Sequence, residues 1–153
     1  MGSLFRFSRA SHAQSITADS VTIDVPAGRF LLLHSLEVTG MASAAAAGAE
    51  LGIYRVTTLG STGTPTTIVL KPVDPNGAAA PAGLTAKFGY TTQPVVEADP
   101  VWRGLYQPLG GKARYSSMLG GALEFWSAVA YQISIRGISG TPNIGFDGEL
   151  EIK

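Results

Sequence analysis

Three observations predict an all-β chain. Several short runs alternate apolar with polar residues at a period of two, the signature of strands with one buried face. The clearest is residues 143–152, where Ile144, Phe146, Leu150 and Ile152 share one parity and Asp147, Glu149 and Glu151 the other. The 153 residues include 19 Gly and 9 Pro, and turn residues break the apolar runs at roughly the 8–12-residue spacing of a sandwich. The alanine-rich run at 42–47 is bracketed by Gly40 and Gly48 and falls short of the roughly 12–15 residues an isolated helix needs. The expected fold is an antiparallel β-sandwich or jelly roll of about eight to ten short strands. It occupies a single domain, 15–153, behind an amino-terminal segment or arm, 1–14.

Taken in order, residues 4–8 alternate briefly and read as a first strand or as that arm. Residues 16–25 read as a strand whose phase slips at Asp19-Ser20, where a β-bulge is expected. Residues 21–39 read as the central hairpin: Val21, Ile23 and Val25 alternate with polar neighbours, and Pro26-Ala27-Gly28-Arg29 supplies turn chemistry. Beyond the turn, Phe30, Leu32, His34, Leu36 and Val38 then form the predicted core face of the strongest strand. The small residues at 40–49 read as a loop, with room for one helical turn, that another surface can approach closely. Residues 50–58 and 66–70 read as a second hairpin, and 71–83 as a surface loop. Strands follow at 85–92, 101–109, 122–129, 131–136 and 143–152, with a turn at 110–112.

Hydrophobic residues make up 45% of the chain and charged ones 14%, against roughly 25% charged in ordinary soluble domains. A surface so poor in charge suits contact with other protein. The 11 basic and 11 acidic residues cancel, so no cationic field exists to gather phosphates and nucleic acid is not an expected partner. The chain has no cysteine, which removes disulfides and thiolate metal sites together. No apolar run approaches the roughly 20 residues of a membrane span. The first residues lack a signal-peptide apolar core, and Arg6 stands where myristoylation wants Ser or Thr, so a cytoplasmic product is expected.

Candidate chemistry is sparse. His34 reads as a hydrogen-bonded imidazole on an apolar face and His12 as a solvated one, and neither belongs to a zinc-binding pair. Glu97 and Asp99 read as the wet side of an extended segment, and Asp74-Pro75-Asn76-Gly77 as a turn. Residues 60–64 lack the lysine of a phosphate loop, and no nucleophile elbow is present. The chain is therefore read as a non-enzyme with no catalytic, cofactor-binding or metal residues. Interface candidates are Leu4, Phe5, Arg6, Phe7 and Arg9 near the start, Trp102 and Trp126, and Asp147, Glu149 and Glu151 near the end. The basic start and acidic finish are expected either to pair within one sheet or to join subunits. Trp102 and Trp126 are expected in the core or at an interface.

The strands around Ala122-Leu123-Glu124-Phe125 and Tyr131–Ile135, then Gly148-Glu149-Leu150-Glu151-Ile152, resemble the ending of small structural proteins of tailed bacteriophages. Residues 51–56, the Gly/Ser/Thr loop after them, 66–69 and the Pro/Asp loop after Lys71 are similar to the middle of such proteins. The resemblance, over about two-thirds of the chain, is to jelly-roll decoration or cement proteins. It implies a virion protein, made in the bacterial host cytoplasm, that binds the outside of the major capsid protein lattice as a homodimer or homotrimer and stabilises the shell. The alternative is a carbohydrate-binding module or tail adsorption protein that uses Trp102 or Trp126 as its platform.

Overall fold

The computed structural model describes residues 2–44, 47–119 and 121–153. Among them, thirteen strands form two antiparallel sheets packed face to face. In chain order the strands are β1 (Ser3–Ala13), β2 (Val21–Val25), β3 (Phe30–Met41), β4 (Ala49–Thr58), β5 (Thr66–Ile68), β6 (Lys71–Pro72), β7 (Thr85–Phe88), β8 (Val95–Val96), β9 (Trp102–Tyr106), β10 (Leu109–Ser116), β11 (Leu123–Trp126), β12 (Tyr131–Ser139) and β13 (Asn143–Ile152). One sheet runs β10-β3-β13-β1-β6, with β11 joined to the first residues of β3. The other runs β5-β7-β2-β12-β4-β8, with β9 also on β4.

Numbering only the principal strands β1, β2, β3, β4, β9, β10, β12 and β13 from 1 to 8, the two sheets read 6-3-8-1 and 2-7-4-5. The chain changes sheet at every step except from 4 to 5. That is the double Greek key of a jelly roll, so the predicted fold class is the one observed.

Two predicted hairpins are not. Strand β2 pairs with β12 and β7, while β3 pairs with β13, β10 and β11 in the opposite sheet. The turn at 26–29 carries the chain across the sandwich, so the apolar faces of β2 and β3 meet through the core. Likewise β4 pairs with β12, β9 and β8, and β5 with β7. The expected bulge at Asp19-Ser20 is absent too, because β2 starts only at Val21.

Strand β3 is central, as predicted, but its core face differs. Leu33 lies opposite Leu150 and Ser35 opposite Glu149, which leaves His34 as an extra residue. This bulge inverts the side-chain parity, as one added residue must. Leu31 and Leu33 face the core before it and Leu36 and Val38 after it, all fully buried. Phe30 is 45% exposed, and Leu32 is buried outside the core cluster. Of the loop predicted between β3 and β4, Ala45 and Ala46 lie outside the described residues.

The amino-terminal segment is not a free arm. Strand β1 pairs with β13 along most of its length, and Phe5 and Phe7 are buried in the core. The Phe7 ring meets Phe146 edge-on, with centroids 5.9 Å apart. Gly148 lies across from Phe7, and any Cβ there would collide with that ring. Arginines lie over aromatic rings on both flanks of the sandwich. Arg9 lies 3.6 Å above the Phe88 ring on one flank. On the other, Trp102 packs edge-on to Tyr115, and the Arg55 guanidinium lies 5.8 Å from the Phe125 ring.

Candidate functional site

Of the charged residues singled out near the two ends of the chain, Arg6, Asp147, Glu149 and Glu151 meet on the outer face of one sheet, whereas Arg9 turns to the flank and donates to the Ser20 carbonyl at 2.6 Å. Arg6 donates to Glu149 at 2.6 Å, and Glu151 lies 3.0 Å from His34 and 3.6 Å from Lys153. Lys112 pairs with Glu37 at 2.6 Å. Asp147 is exposed and makes no ion pair among the described residues. An acidic stripe from β13 and β3 thus runs between basic ones from β1 and β10. A shallow hollow of about 480 Å³ lies on this face, lined by Arg6, Glu37, Lys71, Arg114, Asp147 and Glu149. Arg6 and Glu149 are cross-strand partners, so their pair helps to set the register of β1 on β13, whereas Lys71, Arg114 and Asp147 make no ion pair among the described residues. Leu4 is half-buried beside them.

The second sheet carries a polar cluster on its outer side that the alternation of β2 had presented as a wet face. Asp19 accepts from Thr22 Oγ1 at 2.6 Å, Ser134 Oγ at 2.7 Å and Arg136 Nε at 2.7 Å. Arg136 donates onward to the Pro94 carbonyl at 2.9 Å. Asp24 accepts from Gln132 Nε2 at 2.7 Å and Thr85 Oγ1 at 2.8 Å, and lies 3.2 Å from Lys87 Nζ. Tyr90 also donates to Asp24, and burial together with that carboxylate pushes its phenol up to about 12. Gln132 Oε1 accepts from the Gly60 amide at 2.7 Å, and Ser61 bridges Thr92. The segments around 60 and 90 are therefore pinned over the sheet as a lid. Both carboxylates are saturated with donors, so the cluster fastens the fold. Its signal in the sequence was the polar parity shared by Thr22 and Asp24 with Gln132, Ser134 and Arg136.

His12 does not stand in solvent as expected. It packs edge-on against Phe146 at 5.7 Å, with Nδ1 3.1 Å from the Ala10 carbonyl and Nε2 buried without a partner. Burial is the main cause that pushes its pKa down, and Arg9 adds to it. The unfolded chain therefore takes up this proton first as pH falls through about 6.5, and stability drops with it. Melting curves between about pH 7.5 and pH 5.5 should show a falling transition temperature. A His12→Leu variant should lose that part of the slope.

The two tryptophans occupy different surroundings. Trp102 is half-buried against the core, and its ring fills the space over Gly104. Trp126 is 56% exposed and tilts against Phe30, with centroids 6.0 Å apart. Apolar side chains are also exposed beside the opposite end of β3, at the corner where β9 in one sheet turns into β10 in the other. Met41 and Leu109 are cross-strand partners, 50% and 55% exposed, and Leu105 on β9 is 73% exposed. The backbones meet at this corner, where the Ala42 amide donates to the Pro108 carbonyl at 3.0 Å, and the Leu105 side chain lies over Gly48. Small residues on both sides of this corner let another surface come close.

Among the described residues, no three His, Asp or Glu side chains are grouped so as to hold a metal ion. No protein-family model, no curated protein and no solved structure matches the chain.

Proposed function

We propose that the chain is a non-enzymatic virion protein of a tailed bacteriophage that binds the outside of the capsid as a small homo-oligomer and stabilises the shell. The observation that carries this reading is the corner where β9 turns into β10, with Leu105 exposed on one sheet and Leu109 exposed beside Met41 on the other. Large apolar side chains there are exposed over a backbone of small residues, in a chain whose overall charge is low. Exposed apolar clusters of this kind mark surfaces that other protein covers. The jelly roll is compatible, since viral capsid domains use it, although a fold alone assigns no function. A protein that binds only the assembled lattice stabilises that state by mass action, without any chemistry of its own.

Cosedimentation with empty shells of the accompanying major capsid protein tests the reading. The wild-type chain should pellet with the shells and raise their resistance to heat. Leu105→Asp combined with Leu109→Asp should lower the bound fraction by about tenfold or more while leaving the melting transition of the free protein in place. A wild-type chain that stays in the supernatant would rule the proposal out.

A further inference from the structure

We infer that the flank beside Trp126 is a carbohydrate-binding cleft that takes a single sugar ring, separate from the corner assigned to capsid contact. Strand β11 pairs with Phe30–Leu33 of β3, and a cleft opens between it and the ends of β4 and β12 in the other sheet. The cleft measures about 180 Å³, with the buried Phe125 and Ile133 at its base. Arg55, Glu97, Trp126 and Tyr131 form its sides.

Trp126 sits on a paired strand, opposite Phe30 in the register and in tilted contact with its ring. Its exposed indole is therefore presented in a fixed position, and little ordering is lost when a ligand stacks on it. The negative face of an indole suits the C–H-bearing face of a pyranose.

Arg55 and Glu97 supply the polar half of the site. Their backbones are joined, the Glu97 amide donating to the Arg55 carbonyl at 3.0 Å. Their side chains nevertheless make no ion pair with each other or with any other described residue. Opposite charges side by side in one cleft, yet unpaired, leave a planar fork of donors and a pair of acceptor oxygens for a ligand. Adjacent hydroxyls, each both donor and acceptor, satisfy both groups.

The remaining polar walls are already committed. Tyr131 donates to the Phe125 carbonyl at 2.8 Å, and Gln132 spans Gly60 and Asp24. They hold the shape of the cleft without competing for the ligand. One cation balanced by one anion gives no field for phosphate groups, which sets nucleotides aside. The volume lies below the roughly 300–1,000 Å³ of pockets for drug-sized ligands, so one ring of a glycan fits and the rest extends into solvent.

Titrating the full chain with the methyl glycosides of glucose, galactose, mannose and N-acetylglucosamine, followed by ¹H–¹⁵N spectra, tests this. At least one glycoside should shift the Trp126 indole N–H signal at millimolar concentration, while that of half-buried Trp102 stays in place. Arg55→Met and Glu97→Gln should each weaken binding by about tenfold with unchanged melting, and Trp126→Ala should abolish it. Failure of all four glycosides to bind, or binding that survives Trp126→Ala, would overturn the inference. Capsid cosedimentation should be unaffected by Glu97→Gln, so the two proposals stand or fall separately.

Discussion

Replacing Asp19 by alanine is expected to destabilise the fold by about 3–5 kcal/mol, the cost of stranding a buried charge. The side chain of Asp19 is almost wholly enclosed, and Arg136 opposite it is nearly so. Without the carboxylate, the guanidinium keeps only the Pro94 carbonyl, and Thr22 and Ser134 lose their shared acceptor. Urea unfolding monitored by tryptophan fluorescence would measure the loss. The double variant Asp19→Ala, Arg136→Met should recover much of it, because most of the penalty belongs to the unpaired charge rather than to the missing bond. A single-variant loss below about 1 kcal/mol would mean that water reaches the cluster and that the lid around 60 and 90 is loosely held.

Phe7→Ala should cost about 3–5 kcal/mol, as emptying a buried aromatic site does. The ring is buried between Phe146 and the space that Gly148 leaves open, so little can collapse into the hole. The same measurement decides how the first strand functions. Deleting residues 1–10 removes Phe5, Phe7 and most of the β1–β13 ladder, and the truncated chain is expected to unfold. A truncated protein with nearly unchanged melting but no self-association would instead make β1 an intermolecular strap.

Much of the fold was legible in the sequence because alternation reports burial directly. Strand β13 begins and ends where its pattern of Ile144, Phe146, Leu150 and Ile152 against acidic neighbours predicts. Strand β10 was missed. Gly110-Gly111 reads as a turn, and the alternation of Lys112, Ala113, Arg114 and Tyr115 that follows is short, although its period is right. The hairpins were misassigned because a Pro-Gly turn does not say whether the next strand lies beside the last one or across the core from it. In β3 an unbroken Phe30-Leu31-Leu32-Leu33 run conceals the bulge, since either parity supplies apolar residues. The site was less legible still. Trp126 shares its parity with Glu124, which marks an outward face, but Arg55 and Glu97 are brought beside it only by the pairing of β4 with β12 and β8.

The place of β13 between β1 and β3 bears on how the protein forms as it is made. The last strand of the sandwich in chain order is the one that joins its sheet together, since β1 and β3 are not paired with each other. A nascent chain arrested anywhere before Asn143 has the partners of that sheet waiting with an open gap, their ladder groups unpaired and Phe5, Phe7, Leu33 and Leu36 uncovered. Folding of the sandwich is therefore withheld until β13 has been translated, and it then requires contacts spanning almost the whole domain. Such topology places the protein among the slow, millisecond-to-second folders. It also makes ribosome-bound intermediates the stage at which exposed strand edges invite aggregation.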